Sequence, residues 1–553
     1  MDAGEAFPPP RQRFPPLACL LVALVAGAIG ASLAPAPPGL ALGAACLGAL
    51  AAWLWADRPA RWALCFLAAA TAAAWAHATL RRPAALDPAE RRLPPRALAM
   101  EVAVERLFGG EDRYGRRSGI GKVVEAPGVG PVAAGDRVFF QTGSSAGDAS
   151  LARRSTFRAT GILRPIDPDE GAGFERYLLR SGARFTWERL HDLRQARPPP
   201  AFQNILNTVH ENLLATLRHG APEAGGHEAI YGAMLLGRRG DLGPEQEQRF
   251  AASGTMHFFA VSGLHIGVIA AVLAQALRLA RVPFRLTPWI ALPILYFYVE
   301  VIGAPPSATR AFFMTAFFWA AYAVSRQRSP LAAWTAAAVA MLAVDPANLW
   351  RPGFQLSYLV VASILLYGLP LYESARTRLA PFRDLPESDL GPARRAWRAS
   401  VDRAWLLAAI GASAWLASAP LIALHFDIVS VGAIALNIAL IYLASLVIVT
   451  GVLAMALGML ALAPAAAFLN HAAWTLIAAM GGVIELGLRL PLTPIRLEGF
   501  SPAWAYGGAL GFAGLLFALR CGPPSRATSG PLGHAMPPLL CLLALLGGAA
   551  SGG

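Results

Sequence analysis

Lysine is all but missing from this chain: Lys122 is the only one, so the formal charge of +13 rests on arginine. Charge of either sign is scarce, at 15% of residues. With 56% hydrophobic residues and a mean hydropathy of +0.47 over 553 residues, too little polar surface remains for a soluble protein, and the chain reads as a polytopic membrane protein. The five cysteines, Cys19, Cys46, Cys65, Cys521 and Cys541, have no paired spacing, which excludes a zinc or redox motif built on them and leaves lipid-facing or packing roles. An arginine-rich balance suits an anionic partner, but the cytoplasmic loops of any membrane protein also collect arginine.

Apolar runs at 17–33, 40–55 and 62–80 predict three N-terminal spans within a first segment of residues 1–96. Arg11, Arg13 and the small residues around Ala31 to Ala34 also fit a signal peptide. With a cytoplasmic start, three spans place the next region outside. Arg81, Arg82, Arg91 and Arg92 then lie on the disfavoured side, although charges flanking a long translocated domain count for less.

Residues 97–195 differ in kind. Alternating apolar patterns at Met100 to Val104, Lys122 to Val124, Arg137 to Gln141 and Phe157 to Leu163, separated by glycine and proline, predict a small β domain. Its size suits a five-stranded barrel of the OB type, so the fold class expected is a polytopic α-helical membrane protein with an inserted extracytoplasmic OB-like β-barrel. Arg113, Arg116, Arg117, Lys122, Arg153, Arg154 and Arg158 are its candidate DNA-binding positions, and Tyr114, Phe139, Phe140 and Phe157 are the aromatics available for stacking. The competing reading is the solvated surface of a spacer domain.

Residues 196–255 read as amphipathic linker helices, with helical apolar spacing from Phe202 to Leu217. A channel-like bundle is predicted over 256–520 and a further apolar segment over 521–553. The run from Val431 to Ala461 is too long for one straight span and predicts a break or two short helices. Starting this bundle outside puts Arg278, Arg281 and Arg285, then Arg326 and Arg328, then the arginine-rich loop 376–403 in the cytoplasm, in agreement with the positive-inside rule.

Polar groups inside membrane-length apolar runs are costly and mark candidate sites. The run from Met256 to Leu277 carries Ser262-Gly263-Leu264-His265-Ile266-Gly267. Gly263 and Gly267 form a G-x-x-x-G pair that lets two helix backbones approach. Ser262 and His265, one turn apart, could share a polar path, although a histidine bonded to a neighbouring helix is the commoner arrangement. Glu300 sits inside an apolar helix, and Arg310 follows the break Gly303-Ala304-Pro305-Pro306-Ser307. The two charges either pair across the turn or both line a wet cavity; for Arg310, snorkelling to the interface is the alternative. Gln355 and Ser357 enter the next span after Asp345-Pro346 and need hydrogen-bond partners there. His425 and Asp427 fall in a loop and make a poor metal site. Ser262, His265, Glu300, Arg310, Gln355 and Ser357 are therefore the channel-lining candidates. No catalytic constellation, metal site or cofactor is expected.

Taken together, these segments resemble the ComEC competence-protein family, the inner-membrane channel for DNA uptake. The resemblance rests on Leu235-Leu236-Gly237-Arg238 with Leu242-Gly243-Pro244, on His257 through Gly267, on Pro306-Ser307 with Arg310-Ala311, on Asp345-Pro346, on Gly353-Phe354-Gln355-Leu356-Ser357, and on Pro420 to His425-Phe426. Phe174-Glu175-Arg176-Tyr177-Leu178 with Gly182 looks like the end of that family's periplasmic OB domain. The resemblance implies a multi-pass bacterial inner-membrane channel that passes single-stranded DNA to the cytoplasm. The partners it implies are that strand, membrane lipid, a separate nuclease, a cytoplasmic motor or strand-binding protein, and a second copy in a homodimer. Many family members carry a metallo-β-lactamase-like domain with a His-x-His-x-Asp-His motif, and no His-x-His pair occurs here. Either another protein supplies nuclease activity or the cargo is not DNA. A transporter of another anionic or saccharide-lipid cargo on the same fold is the alternative, and a membrane-embedded enzyme using His265 is the third.

Overall fold

The computed structural model describes residues 16–34, 36–81, 94–108, 115–126, 132–143, 151–166, 173–221, 226–259, 261–323, 329–379, 381–382, 385, 390–489, 495–497, 499–521 and 531–550. Arg11, Arg13, Arg82, Arg91, Arg92, Arg113, Tyr114, Arg326 and Arg328 lie outside these. Many of the described helices open on a proline, where a fixed φ is preorganised and the missing N–H is not needed.

Three such helices come first: α1 (Pro16–Leu33), α2 (Pro38–Leu54) and α3 (Pro59–Arg81). Gly27 and Gly30 let α1 lie directly on α3. A Cβ at Gly27 would clash with the Thr71 carbonyl oxygen, so these two backbones touch.

The β domain comprises β1 (Arg96–Leu107), β2 (Ser118–Glu125), β3 (Arg137–Thr142), β4 (Thr156–Pro165), α4 (Gly173–Arg180) and β5 (Ala183–Arg197). It closes as a barrel in the order β1-β2-β3-β5-β4, with β3 and β5 parallel and the other neighbours antiparallel. The period-2 alternation sends Met100, Val102, Val104, Val138, Phe140, Phe157, Phe185 and Trp187 inward. The Trp187 indole N–H donates to the Leu98 carbonyl at 3.2 Å. The four segments read from sequence are β1 to β4; the fifth strand is seen only in the structure. Phe140 and Phe157 are core residues in edge contact at 5.1 Å, and Phe139 is buried beneath α4. None of these three presents a face for stacking: alternation turns Phe140 and Phe157 into the barrel, and Phe139, on the opposite face of its strand, is covered by α4.

The remaining helices are α5 (Ala201–Arg218), α6 (His227–Leu236), α7 (Pro244–Ala252), α8 (Gly263–Leu279), α9 (Thr287–Val301), α10 (Pro306–Ala323), α11 (Pro330–Val344) and α12 (Pro352–Ser363). A π-helical turn (Ile364–Gly368) joins α12 to α13 (Leu369–Leu379). Then come α14 (Pro392–Phe426), β6 (Ile428–Val429), α15 (Ala433–Met459), α16 (Ala463–Arg489), β7 (Ile495–Arg496), α17 (Pro502–Cys521) and α18 (Pro531–Ala550). Among the described residues, five helices are long and apolar enough to cross a membrane by length and composition: α3, α12 continued through α13, α14, α15 and α16. The protein is thus a polytopic helical membrane protein.

Several expectations change. Residues 431–461 hold one unbroken helix, α15, whose 27 residues span about 40 Å. It has no internal proline to break it, and tilt or protrusion accommodates its excess over a hydrocarbon core of about 30 Å. The described part of the loop 376–403 is largely helical, being the end of α13 and the first turns of α14. The apolar run from Met256 is not one span: Met256–Phe259 is a short 3₁₀ turn, and α8 starts only at Gly263. Nor is 196–255 peripheral. Ile230 to Leu236 of α6 are all buried in the largest core, among α5, α8, α9, α15 and α16. Leu21, Leu24 and Val25 of α1 pack beside α11 and α12, and Cys541 of α18 packs against α14.

Candidate functional site

The site is built where α8, α9, α10 and α12 begin or end. Ser262 is the N-cap of α8. Its backbone N–H donates to His265 Nδ1 at 3.1 Å, and its Oγ lies 3.0 Å from the same nitrogen. Because Nδ1 accepts, the ring proton of a neutral His265 sits on Nε2. That Nε2 is fully buried and has no hydrogen-bond partner among the described residues. The pair is a variant of the capping box, with imidazole in place of the usual Glu or Gln.

The turn after α9 uses positive φ at Gly303 (84°) and Ala304 (47°) to reverse the chain before Pro306 starts α10. Ser307 then donates to the Val261 carbonyl at 2.6 Å, tying the start of α10 to the residue before the α8 cap. Gly263 completes this junction, its Cβ position lying 3.8 Å from Ala311 Cβ. Gly267 has nothing within 4 Å of its Cβ position. Within the described residues, then, only the first member of the G-x-x-x-G pair sits at a helix contact.

Glu300 and Arg310 do not pair with each other. The Arg153 guanidinium from the barrel donates to Glu300 Oε2 at 3.1 Å, the two side chains being 23% and 9% exposed. Arg310 is buried, at 6% exposure, and makes no hydrogen bond or ion pair to any described residue. Its guanidinium lies against Gly353 in the first turn of α12, with Nη2 3.3 Å and Nη1 3.5 Å from the Cβ position there. Arg351, the α12 N-cap, is meanwhile neutralised by Asp345 at 3.0 Å and donates to Asn348 Oδ1 at 2.7 Å.

Gln355 donates to the Leu349 carbonyl at 2.9 Å and meets His425 Nε2 through its Oε1 at 3.3 Å. His425 belongs to the last turn of α14 rather than to a loop, and Asp427 caps that helix in the left-handed region. Ser357 is half-buried without a hydrogen bond to a described residue. No group of three or more metal-ligating side chains occurs among the described residues.

On the barrel, Arg158 reaches Glu125 at 2.7 Å and Glu101 at 3.6 Å. Arg137 pairs with Glu105 at 2.8 Å and Arg184 with Asp136 at 3.3 Å. Lys122 and Arg154 are exposed with no acid partner among the described residues, whereas Arg116 and Arg117 have partners of their own. The exposed aromatic is one sequence reading missed. Phe174 of α4, 51% exposed, packs edge-on against Phe139 at 5.5 Å and Phe108 at 6.3 Å. Its signal was the strong amphipathicity of the short α4, which leaves one ring outside.

Two contacts fasten the amphipathic helix α5 to this region. The His210 Nδ1–H donates to the Val301 carbonyl at 3.0 Å, next to Glu300. Burial pushes the His210 imidazole below its ordinary value, opposed by that hydrogen bond. At the other end, Asn470 of α16 donates to the Thr216 and His219 carbonyls at 2.7 and 3.2 Å.

Comparison with known proteins bears on the same segments. ComE operon protein 3 of Bacillus subtilis (strain 168) is 25% identical over 206 residues, which is 37% of this chain and 26% of that relative. The match thus spans only about a quarter of the relative's length. No solved structure gives a significant match. The family profile described as Competence protein matches residues 234–521, which is just over half of the chain and holds every helix of the site from α8 to α12. The chain belongs to the Competence protein family.

Proposed function

We propose that the protein is an inner-membrane channel that passes single-stranded DNA into the cytoplasm during natural transformation, with an OB-like barrel on the outer side receiving the strand. The observation that carries this reading is Arg310, a buried arginine without a counter-ion among the described residues, within the segment that matches the competence family. A single strand is a flexible polyanion, and its passage needs cationic groups not already neutralised by the protein, spaced so that none holds it tightly. The barrel's strand order β1-β2-β3-β5-β4 supports the OB-like assignment, and the contact from Arg153 to Glu300 sets the barrel over the α9–α10 turn. Ser262, His265, Gln355 and Ser357 supply polar groups at neighbouring helix starts. Strands would meet Lys122, Arg154 and the ring of Phe174 on the barrel, where stacking tolerates any base. Membrane lipid, a separate nuclease, a cytoplasmic motor and a second copy of the chain are the partners this reading calls for.

A second reading has its own observation. Most barrel arginines in defined contacts are matched by carboxylates, as in Arg158 with Glu101 and Glu125, which weakens the positive field that a nucleic acid would feel. A smaller anionic or saccharide-lipid cargo suits that balance. Uptake of labelled DNA in the native host, scored as strands that reach the cytoplasm, separates the two. Loss of internal strand with normal surface binding on deletion supports the channel. Unchanged import in a host shown to take up DNA moves the cargo to the second class.

A further inference from the structure

We infer that Arg310 and the first turn of α12 form a binding site for one phosphodiester group. The inference deepens the channel reading and rests on it only for the source of that phosphodiester, since the site itself stands on geometry. A guanidinium buried to 6% exposure with no carboxylate, carbonyl or hydroxyl partner among the described residues is an expensive thing to fold around. Its Nε is enclosed and has no partner among the described residues, and its two terminal nitrogens rest on Gly353, the second residue of a 12-residue helix. Gly353 is itself exposed, so the guanidinium is reachable from that side. A helix start carries partial positive charge, and a planar fork of N–H donors matches two oxygens of a phosphate. Glu300, the acid closest along the chain, is occupied by Arg153, and Asp345 by Arg351. No described carboxylate competes for Arg310. The absence of a side chain at 353 keeps the floor of this cradle open.

The phosphodiester could come from a nucleic-acid strand or from a lipid headgroup, and the experiment has an arm for each. The full-length protein is held in dodecyl maltoside micelles, which carry no phosphate, and its thermal midpoint is followed against a short oligothymidylate. A parallel series adds phosphatidylglycerol to the micelles without oligonucleotide. The expected result is a rise in midpoint with oligothymidylate, with the half-saturating concentration raised roughly tenfold or more in Arg310→Gln and less in Arg310→Lys. Without any anion, Arg310→Gln should melt higher than the parent, because an unpaired buried charge has gone. Gly353→Val keeps the charge but fills the cradle, and should weaken the response to oligothymidylate measured relative to its own basal midpoint. If Arg310→Gln does not fold, Arg310→Lys and Gly353→Val carry the test. Responses that are the same in all variants overturn the site, whatever uptake assays show. A response to phosphatidylglycerol that depends on Arg310, with none to oligothymidylate, supports the site and removes its support from the strand channel.

Discussion

Arg153 Nη1 stands 3.1 Å from Glu300 Oε2, joining a barrel loop to the end of α9 across 147 residues of sequence. This contact ties the barrel to the end of α9 and gives Glu300 a partner other than Arg310.

Breaking that pair should loosen the barrel. Glu300→Gln or Arg153→Ala should each cost about 2 kcal/mol, less than a fully buried pair because the arginine retains some exposure. The swap Arg153→Glu with Glu300→Arg should recover part of the loss. Thermal unfolding of the parent, the two single variants and the Arg153→Ala/Glu300→Gln double variant as a double-mutant cycle measures the coupling; additivity of the single effects would show that the two side chains do not interact.

Ser307→Ala removes the tie between α10 and the α8 cap. The lost hydrogen bond to the Val261 carbonyl should lower stability by about 1 kcal/mol. Hydrogen exchange at the first turn of α8 should rise in step, and unchanged exchange there would mean that the junction is held by Gly263 and Ala311 instead.

Two glycines should respond in opposite ways. Gly27→Ala drives a methyl into the Thr71 carbonyl and the Trp75 amide of α3 and should destabilise by about 1–3 kcal/mol. Gly267→Ala meets open space and should be neutral or slightly stabilising, since Gly inside a helix costs about 0.5–1 kcal/mol relative to Ala. Midpoints of the two variants, measured side by side, check this. A large loss at Gly267 would point to a second copy packing there.

Stability should fall as pH drops below the ordinary histidine range, and His210 should carry part of that fall. Its folded-state value is lowered by burial, so the unfolded chain takes up a proton more readily than the folded one. The contribution is complete above about pH 6.5 and is lost as pH falls from there through the folded-state value. His210→Gln should flatten the pH dependence of the midpoint over that window. An identical slope in parent and variant would assign it to other groups.

Helix existence and the barrel's first four strands were legible because they follow local periodicity and proline placement. Fine boundaries were not. The apolar run at Met256 looks continuous on hydropathy, yet Ser262 and His265 cap α8 and end the preceding turn, since hydrogen-bond geometry outranks apolarity there. The strand β5 was hidden by its charges: Glu188, Arg189, Asp192 and Arg194 belong to its outer side, while Phe185 and Trp187 do the packing. The aromatics Phe139, Phe140 and Phe157 showed the composition of a stacking surface without saying which way a strand faces.

Residues close together in the chain were enough to establish that this protein lies in a membrane, that its helices exist, and that polar groups such as Ser262, His265, Arg310 and Gln355 interrupt apolar runs. Each of these depends on a local feature: the length of an apolar run or a polar side chain within it. The partners of the charges depend instead on packing in three dimensions. Glu300 and Arg310 are separated by a ten-residue step that invites pairing, yet the acid is taken by an arginine from the barrel and the base is left on Gly353. An ion pair forms between the groups that packing brings within reach, and sequence distance does not record that.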